Sequence, residues 1–262
     1  MEEFLRRMNL PEDARRQIQT GSHPAQEAVR DILRRAPELE SVYAGRGWDD
    51  GLFAGFLRDL ESKLREYHAV HGVWGTDAES WYRRFFDFRI FALGRLEFEP
   101  SHWDLADQPP HVRSGDPILK CHIPSTGPCP RDAALDSFRR AYDFFGQKRD
   151  TVVQCKSWLL YPPHYPLFPE GGNLRAFQDL FQIAEAHERG ERDLWRIFGG
   201  DWHDPVRRPR DTALRRSFAR WLEEGHVMGT GFGYLVLRDG APVFPESRGI
   251  SSSMFTKFRK KD

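Results

Sequence analysis

The sequence has few cysteines, only three in 262 residues, at positions 121, 129 and 155. An odd number without paired spacing is not a disulfide framework, and Cys-x-x-Cys pairs of the zinc-binding kind do not occur. We therefore expect a reducing compartment, free thiols and no metal site.

The chain also lacks an excess of either charge, since 39 basic residues balance 39 acidic ones. A dedicated nucleic-acid binder needs a surplus of Lys and Arg, so we expect no nucleic-acid partner. No apolar run approaches the ~18 residues of a membrane span, and residues 1–7 lack the apolar core of a signal peptide. These absences predict a soluble, cytoplasmic protein with no membrane partner.

The first 90 residues have the three- and four-residue apolar spacing of helices. Proline suits the first helical turn, so Pro24 is expected to open a helix, which should stop before Pro37. The strongest helical pattern lies over 48–70, and another helix should carry Trp81 and Phe85. Residues 1–90 are therefore predicted to form a helical N-terminal domain.

After residue 90 the pattern changes to short strands, and residues 91–262 are predicted to form a second domain. A helix is expected over 130–145, and Asp211 is the expected N-cap of a later one. The alternation of helices and strands indicates an α/β or α+β fold. Predicted strands lie at 93–99, 118–123, 151–160 and 232–237.

Four stretches, in this order, resemble the bacterial acyltransferase-domain proteins with a helical N-terminal domain and a GNAT-like C-terminal domain. The resemblance implies an α+β fold in which the helical domain packs on a mixed β-sheet flanked by helices. It also implies transfer of an acyl group from acyl-CoA or acetyl-CoA to a small amine or hydroxyl acceptor. The stretches are Leu93-Gly94-Arg95-Leu96-Glu97-Phe98; His122-Ile123-Pro124 with Gly127-Pro128, Asp136-Ser137-Phe138 and Phe144-Phe145; Cys155-Lys156-Ser157-Trp158-Leu159-Leu160 with Asn173 and Phe177; and Pro209-Arg210-Asp211-Thr212 with Leu214 and Arg216.

The resemblance places a phosphate-binding loop between a central strand and a helix, at residues 122–130. Typical GNAT enzymes have Gln/Arg-x-x-Gly-x-Gly/Ala there, whereas this loop has one glycine and three prolines, which cannot donate an N–H. Ser125, Thr126 and Gly127 form the best candidate cradle for the phosphates of a CoA donor. The alternative is an ordinary strand-to-helix turn.

Three side chains near this loop are candidate catalytic groups. His122 ends the central strand and could act as a general acid or base, or it could be a structural histidine. Cys155 and Ser157 share one face of the next strand and could approach a thioester. The alternative for Cys155 is a place in the core, where free cysteines are common.

Trp158 and Asn173 are the candidate substrate-binding residues, although Asn173 is first of all a candidate N-cap. The Asp- and His-containing segments 102–104 and 201–204 lack the spacing of a zinc site. Gly229, Gly231 and Gly233 precede a strand, so they are not a dinucleotide-binding motif.

Two other functional classes remain open. The proline-filled loop favours a GNAT-derived module that binds a small ligand or a partner protein without catalysis. A nucleophilic Cys155 would instead make the protein a hydrolase. The sequence leaves the acceptor, the acyl length and the oligomeric state undetermined.

Overall fold

A computed structural model describes residues 1–48, 50–109, 112–147, 149–191 and 193–243. The helices are α1 (Glu2–Arg7), α2 (Glu12–Thr20), α3 (Pro24–Gly45), α4 (Asp50–His71), α5 (Glu79–Phe86), α6 (Arg131–Phe144), α7 (Asn173–Gln178), α8 (Trp195–Phe198) and α9 (Ala213–Glu223). The strands are β1 (Phe91–Leu93), β2 (Leu96–His102), β3 (Pro117–His122), β4 (Thr151–Ser157), β5 (Gln182–Gly190), β6 (Met228–Arg238) and β7 (Ala241–Val243). Short 3-10 helices lie at Trp158–Leu160, Pro162–Leu167 and Gly199–Asp201.

The chain forms two compact units. The first contains residues 1–99 and 123–127, and the second contains residues 100–122 and 128–262. The strand β2 begins in the first unit and ends in the second. The division into domains after residue 90 stays a prediction.

Helix α3 in the first unit corrects one prediction, because it continues through Pro37 to Gly45 instead of stopping before the proline. A proline inside a helix costs about 3 kcal/mol through its missing hydrogen bond and its steric clash. Beyond it, Leu39 and Tyr43 are 1% and 2% exposed. Burying two such side chains contributes about 1.5–3 kcal/mol each, which is enough to keep the helix intact.

The segment predicted as one strand over 93–99 instead contains the end of β1, the hairpin turn and the first part of β2. The strands β1 and β2 pair antiparallel, with Leu93 opposite Leu96, so that Gly94 and Arg95 form a two-residue turn. The alternation of apolar and charged residues is misleading here, because Glu97 is as buried as its apolar neighbours. Helix α4 lies close to the hairpin, since a Cβ on Gly55 would overlap the Cβ of Ala92.

The second unit is built on a mixed sheet in which β3 and β4 are parallel. Strand β6 pairs antiparallel with β4, β5 and β7. The mixed sheet predicted from the resemblance is confirmed. Helix α6 connects the two parallel strands, as a parallel pair requires.

Four sequence-based assignments in this unit need correction. Strand β4 ends at Ser157 instead of Leu160, because the chain turns into a 3-10 helix there. Thr212 is the N-cap of α9, since its side chain accepts from the N–H of Arg215. Asn173 is the first residue of α7 and Gly172 is its N-cap. Strand β5 was not predicted, because its sequence of charged residues and alanines lacks an alternating apolar pattern.

Candidate functional site

The register between the parallel strands β3 and β4 ends close to their carboxyl ends. Their pairing ends at Cys121 opposite Cys155, whereas β4 continues to Ser157 along β6. Alternate residues of a strand direct their backbone groups to opposite neighbours. One of Lys156 and Ser157 therefore turns its N–H and C=O toward the β3 side, beyond the last register pair. We call residues 121–122 and 155–157 the strand opening.

A polar row crosses one face of the sheet next to this opening. Lys120, Gln154, Tyr234 and Gln182 are successive register partners, so their side chains share that face. Tyr234 donates its hydroxyl to Gln182 Oε1 at 2.9 Å. Lys120 Nζ lies 2.9 Å from Asp104 Oδ2. Burial would raise the pKa of Asp104, but the hydrogen bond and charge of Lys120 hold that pKa below its usual value.

The residues beyond this row form a ledge of four side chains, Lys156, Phe232, Glu185 and His187. The Lys156 ammonium lies 5.2 Å from the centre of the Phe232 ring, and the His187 ring lies 5.6 Å from it, edge on. His187 Nε2 is 3.3 Å from Glu185 Oε2. An imidazole beside a carboxylate is a pair that can serve in general acid–base catalysis.

A β-bulge places Glu185 and His187 on this ledge. The register of β5 against β6 shifts between Ile183 and Glu185. Without the shift, residues 185 and 187 would face the opposite side from Gln182, because side chains alternate along a strand. Glu185 also accepts from the backbone N–H of Asp107 at 3.1 Å, which fixes the carboxylate.

The opposite face of the sheet is closed by the segment that follows β4. Gly229, Gly231 and Gly233 lie on this face, and a Cβ on any of them would overlap Tyr161, Leu160 or Phe181. The alternating glycines therefore allow the chain after β4 to lie directly on β6. They are a packing feature of the sheet.

A buried aromatic cluster lies in this segment and around it. His164 is fully buried and its Nδ1 is 2.8 Å from the carbonyl oxygen of Trp158, while its Nε2 has no partner. Burial lowers the pKa of His164 to about 4. The cluster consists of Trp158, Tyr161, His164, Phe168, Phe218 and Trp221, with ring centres 4.9–6.2 Å apart.

The loop predicted to bind phosphates lies, over residues 123–127, in the first unit. Ser125 and Gly127 are exposed and Thr126 is half-buried. Gly127 has a φ of +111°, which favours glycine. The Arg95 side chain donates to the carbonyl oxygen of Pro124 at 2.9 Å and to that of Gly127 at 2.5 Å.

A model of the GNAT-like C-terminal domain matches residues 90–235, more than half of the chain. The chain belongs to the GNAT-like C-terminal domain family. A comparison with curated protein sequences finds no match.

Solved structures of acyltransferases share the fold of this GNAT-like protein. A structure in complex with decanoyl-CoA and teicoplanin is 19% identical, has a TM-score of 0.70 and covers 90% of this chain and 87% of the other. A structure in complex with CoA and 10C-teicoplanin is 18% identical, with the same TM-score and coverage. At this identity the likeness establishes the fold, and the α+β fold with helices beside a mixed sheet is confirmed.

The structure brings some predicted site residues of the GNAT-like protein together and divides others. His122, Cys155, Ser157 and Trp158 lie in the second unit, at the strand opening or next to it. The cradle Ser125, Thr126 and Gly127 lies in the first unit. Asn173 is exposed at the start of α7.

The local contacts give three of these residues structural roles. Cys155 is 1% exposed and faces the Leu160 side of the sheet. The Ser157 hydroxyl accepts from the N–H of Leu159 at 3.1 Å and so caps the 3-10 helix. Trp158 packs edge on against Phe168 and Phe218.

The segments 102–104 and 201–204 likewise have structural roles in the GNAT-like protein. Trp103 is 1% exposed in the core, and Asp201 pairs with Arg207 at 2.9 Å. Among the residues that the structure describes, no group of three or more His, Cys, Asp or Glu side chains could hold a metal ion. In the same part of the chain, no helix is long and apolar enough to cross a membrane.

Sequence reasoning missed Arg95, Lys156, Glu185 and His187 as candidate site residues. Two of them, Arg95 and Lys156, lie in stretches that carry the family resemblance, which was a usable signal. His187 and Glu185 depend on a bulge in an unpredicted strand, so nothing in the residue pattern placed them near β4.

Proposed function

We propose that this protein is an acyltransferase that moves an acyl group from acyl-CoA to an amine or hydroxyl of a small-molecule acceptor. The observation that carries the proposal is the strand opening at the carboxyl ends of β3 and β4. Ligands of open α/β sheets commonly bind in the crevice outside the carboxyl ends of the strands.

The strand opening suits the pantetheine arm of CoA. The arm is extended and carries two amide groups, so it can exchange hydrogen bonds with strand backbone as an added strand does. We propose that the backbone groups of Lys156 or Ser157 that face away from β6 form these hydrogen bonds. The thioester at the end of the arm would then lie beside the ledge.

The ledge supplies the acid–base chemistry that acyl transfer needs. The acceptor nitrogen or oxygen attacks the thioester carbon, the new C–N or C–O bond forms, and the C–S bond breaks to release the CoA thiolate. The acceptor proton passes to His187, whose imidazolium is stabilised by Glu185, and then to the thiolate. His122, half-buried at the end of β3, is the alternative base.

The solved relatives of this fold guide the choice of substrates. They are acyltransferases in complex with decanoyl-CoA, CoA and forms of teicoplanin. We propose by analogy a medium-length acyl donor and an acceptor with an accessible amine, with teicoplanin as one candidate. We also propose a cytoplasmic location, since the three cysteines are free thiols, as a reducing compartment requires.

The proposal is tested by turnover of the purified protein with acyl-CoAs of increasing length and a panel of amine acceptors. We expect release of free CoA thiol that depends on the acceptor, and a product whose mass increases by the acyl group. Binding of acyl-CoA with no thiol release for any acceptor would favour the non-catalytic binding module. Thiol release without an acceptor, together with an acylated Cys155, would favour the hydrolase.

A further inference from the structure

Arg95 connects the β1–β2 hairpin to the loop of residues 123–127 within the first unit. It follows Gly94, which has a φ of +78°, and a two-residue turn with glycine first fixes the direction in which Arg95 leaves the hairpin. Its Nη1 donates to the carbonyl of Pro124 and its Nη2 to the carbonyl of Gly127. One planar guanidinium thus holds both ends of the candidate phosphate cradle.

The contact with Arg95 engages two carbonyl oxygens of the loop that would otherwise disfavour a bound anion. Carbonyl oxygens repel phosphate, and here two of them are occupied by a cation. Because the peptide bond is planar and trans, the N–H of Ser125 points away from the carbonyl of Pro124 and hence away from Arg95. The residue after Gly127 is a proline, which has no backbone N–H. The hydrogen bond from Arg95 to the Gly127 carbonyl therefore does not fix the direction of any backbone donor.

We propose that Arg95 is a positioning residue for the pyrophosphate of the acyl-CoA donor. It replaces the glycine-rich sequence that usually shapes such a loop, because the guanidinium fixes the backbone between residues 124 and 127. Ser125, Thr126 and Gly127 then supply the N–H and hydroxyl donors. This inference rests on the proposed function and assigns a role to the first of the four family-like stretches.

The test compares an acyl-CoA with the matching acyl-pantetheine, which carries the same thioester without phosphates. Arg95→Ala is expected to raise the KM for acyl-CoA by about 10- to 100-fold, the effect of losing charge-assisted hydrogen bonds, with little change in kcat. The KM for acyl-pantetheine should stay within about twofold of the wild-type value. Arg16→Ala removes the same charge from an exposed position on α2 and should change neither KM.

Arg95→Lys keeps the charge but cannot bridge two carbonyls with a planar fork. We expect an intermediate KM for acyl-CoA, and this variant serves also if Arg95→Ala fails to fold. A wild-type KM for Arg95→Lys would overturn the positioning role, as would equal losses with both donors. If the wild-type protein itself neither binds CoA in calorimetry nor turns over acyl-CoA, the proposed function fails together with this inference.

Discussion

The carbonyl group of Leu160 lies where a Cβ on residue 231 would be, so Gly231 is in direct contact with the chain that follows β4. The contact explains why the sequence has a glycine at every second position from 229 to 233. The same contact explains how the 3-10 helix Trp158–Leu160 covers one face of the sheet. The ledge lies on the other face.

Gly231→Ala should destabilise the protein by about 1–3 kcal/mol or more, because backbone atoms must move to admit the methyl group. Gly45→Ala is the matched control, since its Cβ meets nothing within 4 Å and the residue is helical. That control should be neutral or slightly stabilising. Urea unfolding measures both, and equal stabilities for the two variants would contradict the close approach.

Protonation of His164 should destabilise the protein in mild acid. Its pKa is about 4 when folded, against 6.5 as the ordinary value, so between these pH values the unfolded chain binds more protons. Stability should therefore fall as the pH falls through this range, by at most about 3 kcal/mol from this group.

His164→Asn keeps a donor in the position of Nδ1 for the Trp158 carbonyl but cannot be protonated. The variant should have a flatter stability profile between pH 6.5 and 4 in chemical denaturation. An unchanged profile would show that folding does not lower the pKa of His164.

Glu97 should destabilise the first unit as the pH rises. It is 1% exposed, neither carboxyl oxygen has a partner, and burial and the charge of Asp59 raise its pKa well above the ordinary value. As the pH rises, the unfolded chain releases this proton at a lower pH than the folded chain does. The free energy of unfolding therefore falls as the pH rises from the ordinary pKa of Glu toward the pKa of Glu97 in the folded protein.

Glu97→Met should stabilise the protein by about 1–3 kcal/mol at neutral pH, because a buried group without hydrogen bonds is replaced by an apolar one of similar size. The gain should shrink as the pH is lowered toward 4.5. Thermal unfolding at several pH values measures it, and a Glu97→Met protein less stable than the wild type would contradict the assignment.

Cys155→Ala should retain acyltransferase activity within about twofold, since a thiol buried at 1% exposure is not a nucleophile for a ligand on the other face. The folded wild-type protein should form no iodoacetamide adduct at this residue. A covalent acyl group found on Cys155 by mass spectrometry would reverse this conclusion and favour the hydrolase.

His187→Ala should lower kcat by about 10²- to 10⁴-fold, the usual effect of removing a general base. The KM for acyl-CoA should change little, because His187 would contact the acceptor. His203→Ala, which removes an exposed histidine from a loop of the same unit, is the control. If the His187→Ala protein keeps its full kcat, His122 becomes the candidate base.

The broad fold could be predicted because periodicity reports burial along a single element. The helices α4 and α6 and the strand β3 agree with their apolar spacing within a few residues. The same reasoning gave a wrong end for α3 at Pro37. The free-energy cost of a proline inside the helix is outweighed by the burial of Leu39 and Tyr43, and that burial depends on the rest of the unit.

The candidate site was less predictable because it depends on contacts between distant segments. The bulge in β5 that turns His187 toward Phe232 follows from pairing with β6, and the contact of Arg95 with residues 124 and 127 spans about 30 residues. The local pattern instead favoured Cys155 and Ser157. The backbone of these residues forms part of the strand opening, but their side chains face the closed side of the sheet.

The most direct test of the account is hydrogen exchange of backbone amides with and without decanoyl-CoA. Backbone amides at strand ends exchange more readily than those in the middle of a sheet, and a bound pantetheine arm should slow their exchange. We predict slower exchange over residues 121–123 and 155–158, with residues 213–223 of α9 unchanged. Exchange that is unaltered over both segments at saturating decanoyl-CoA would contradict the placement of the donor between β3 and β4.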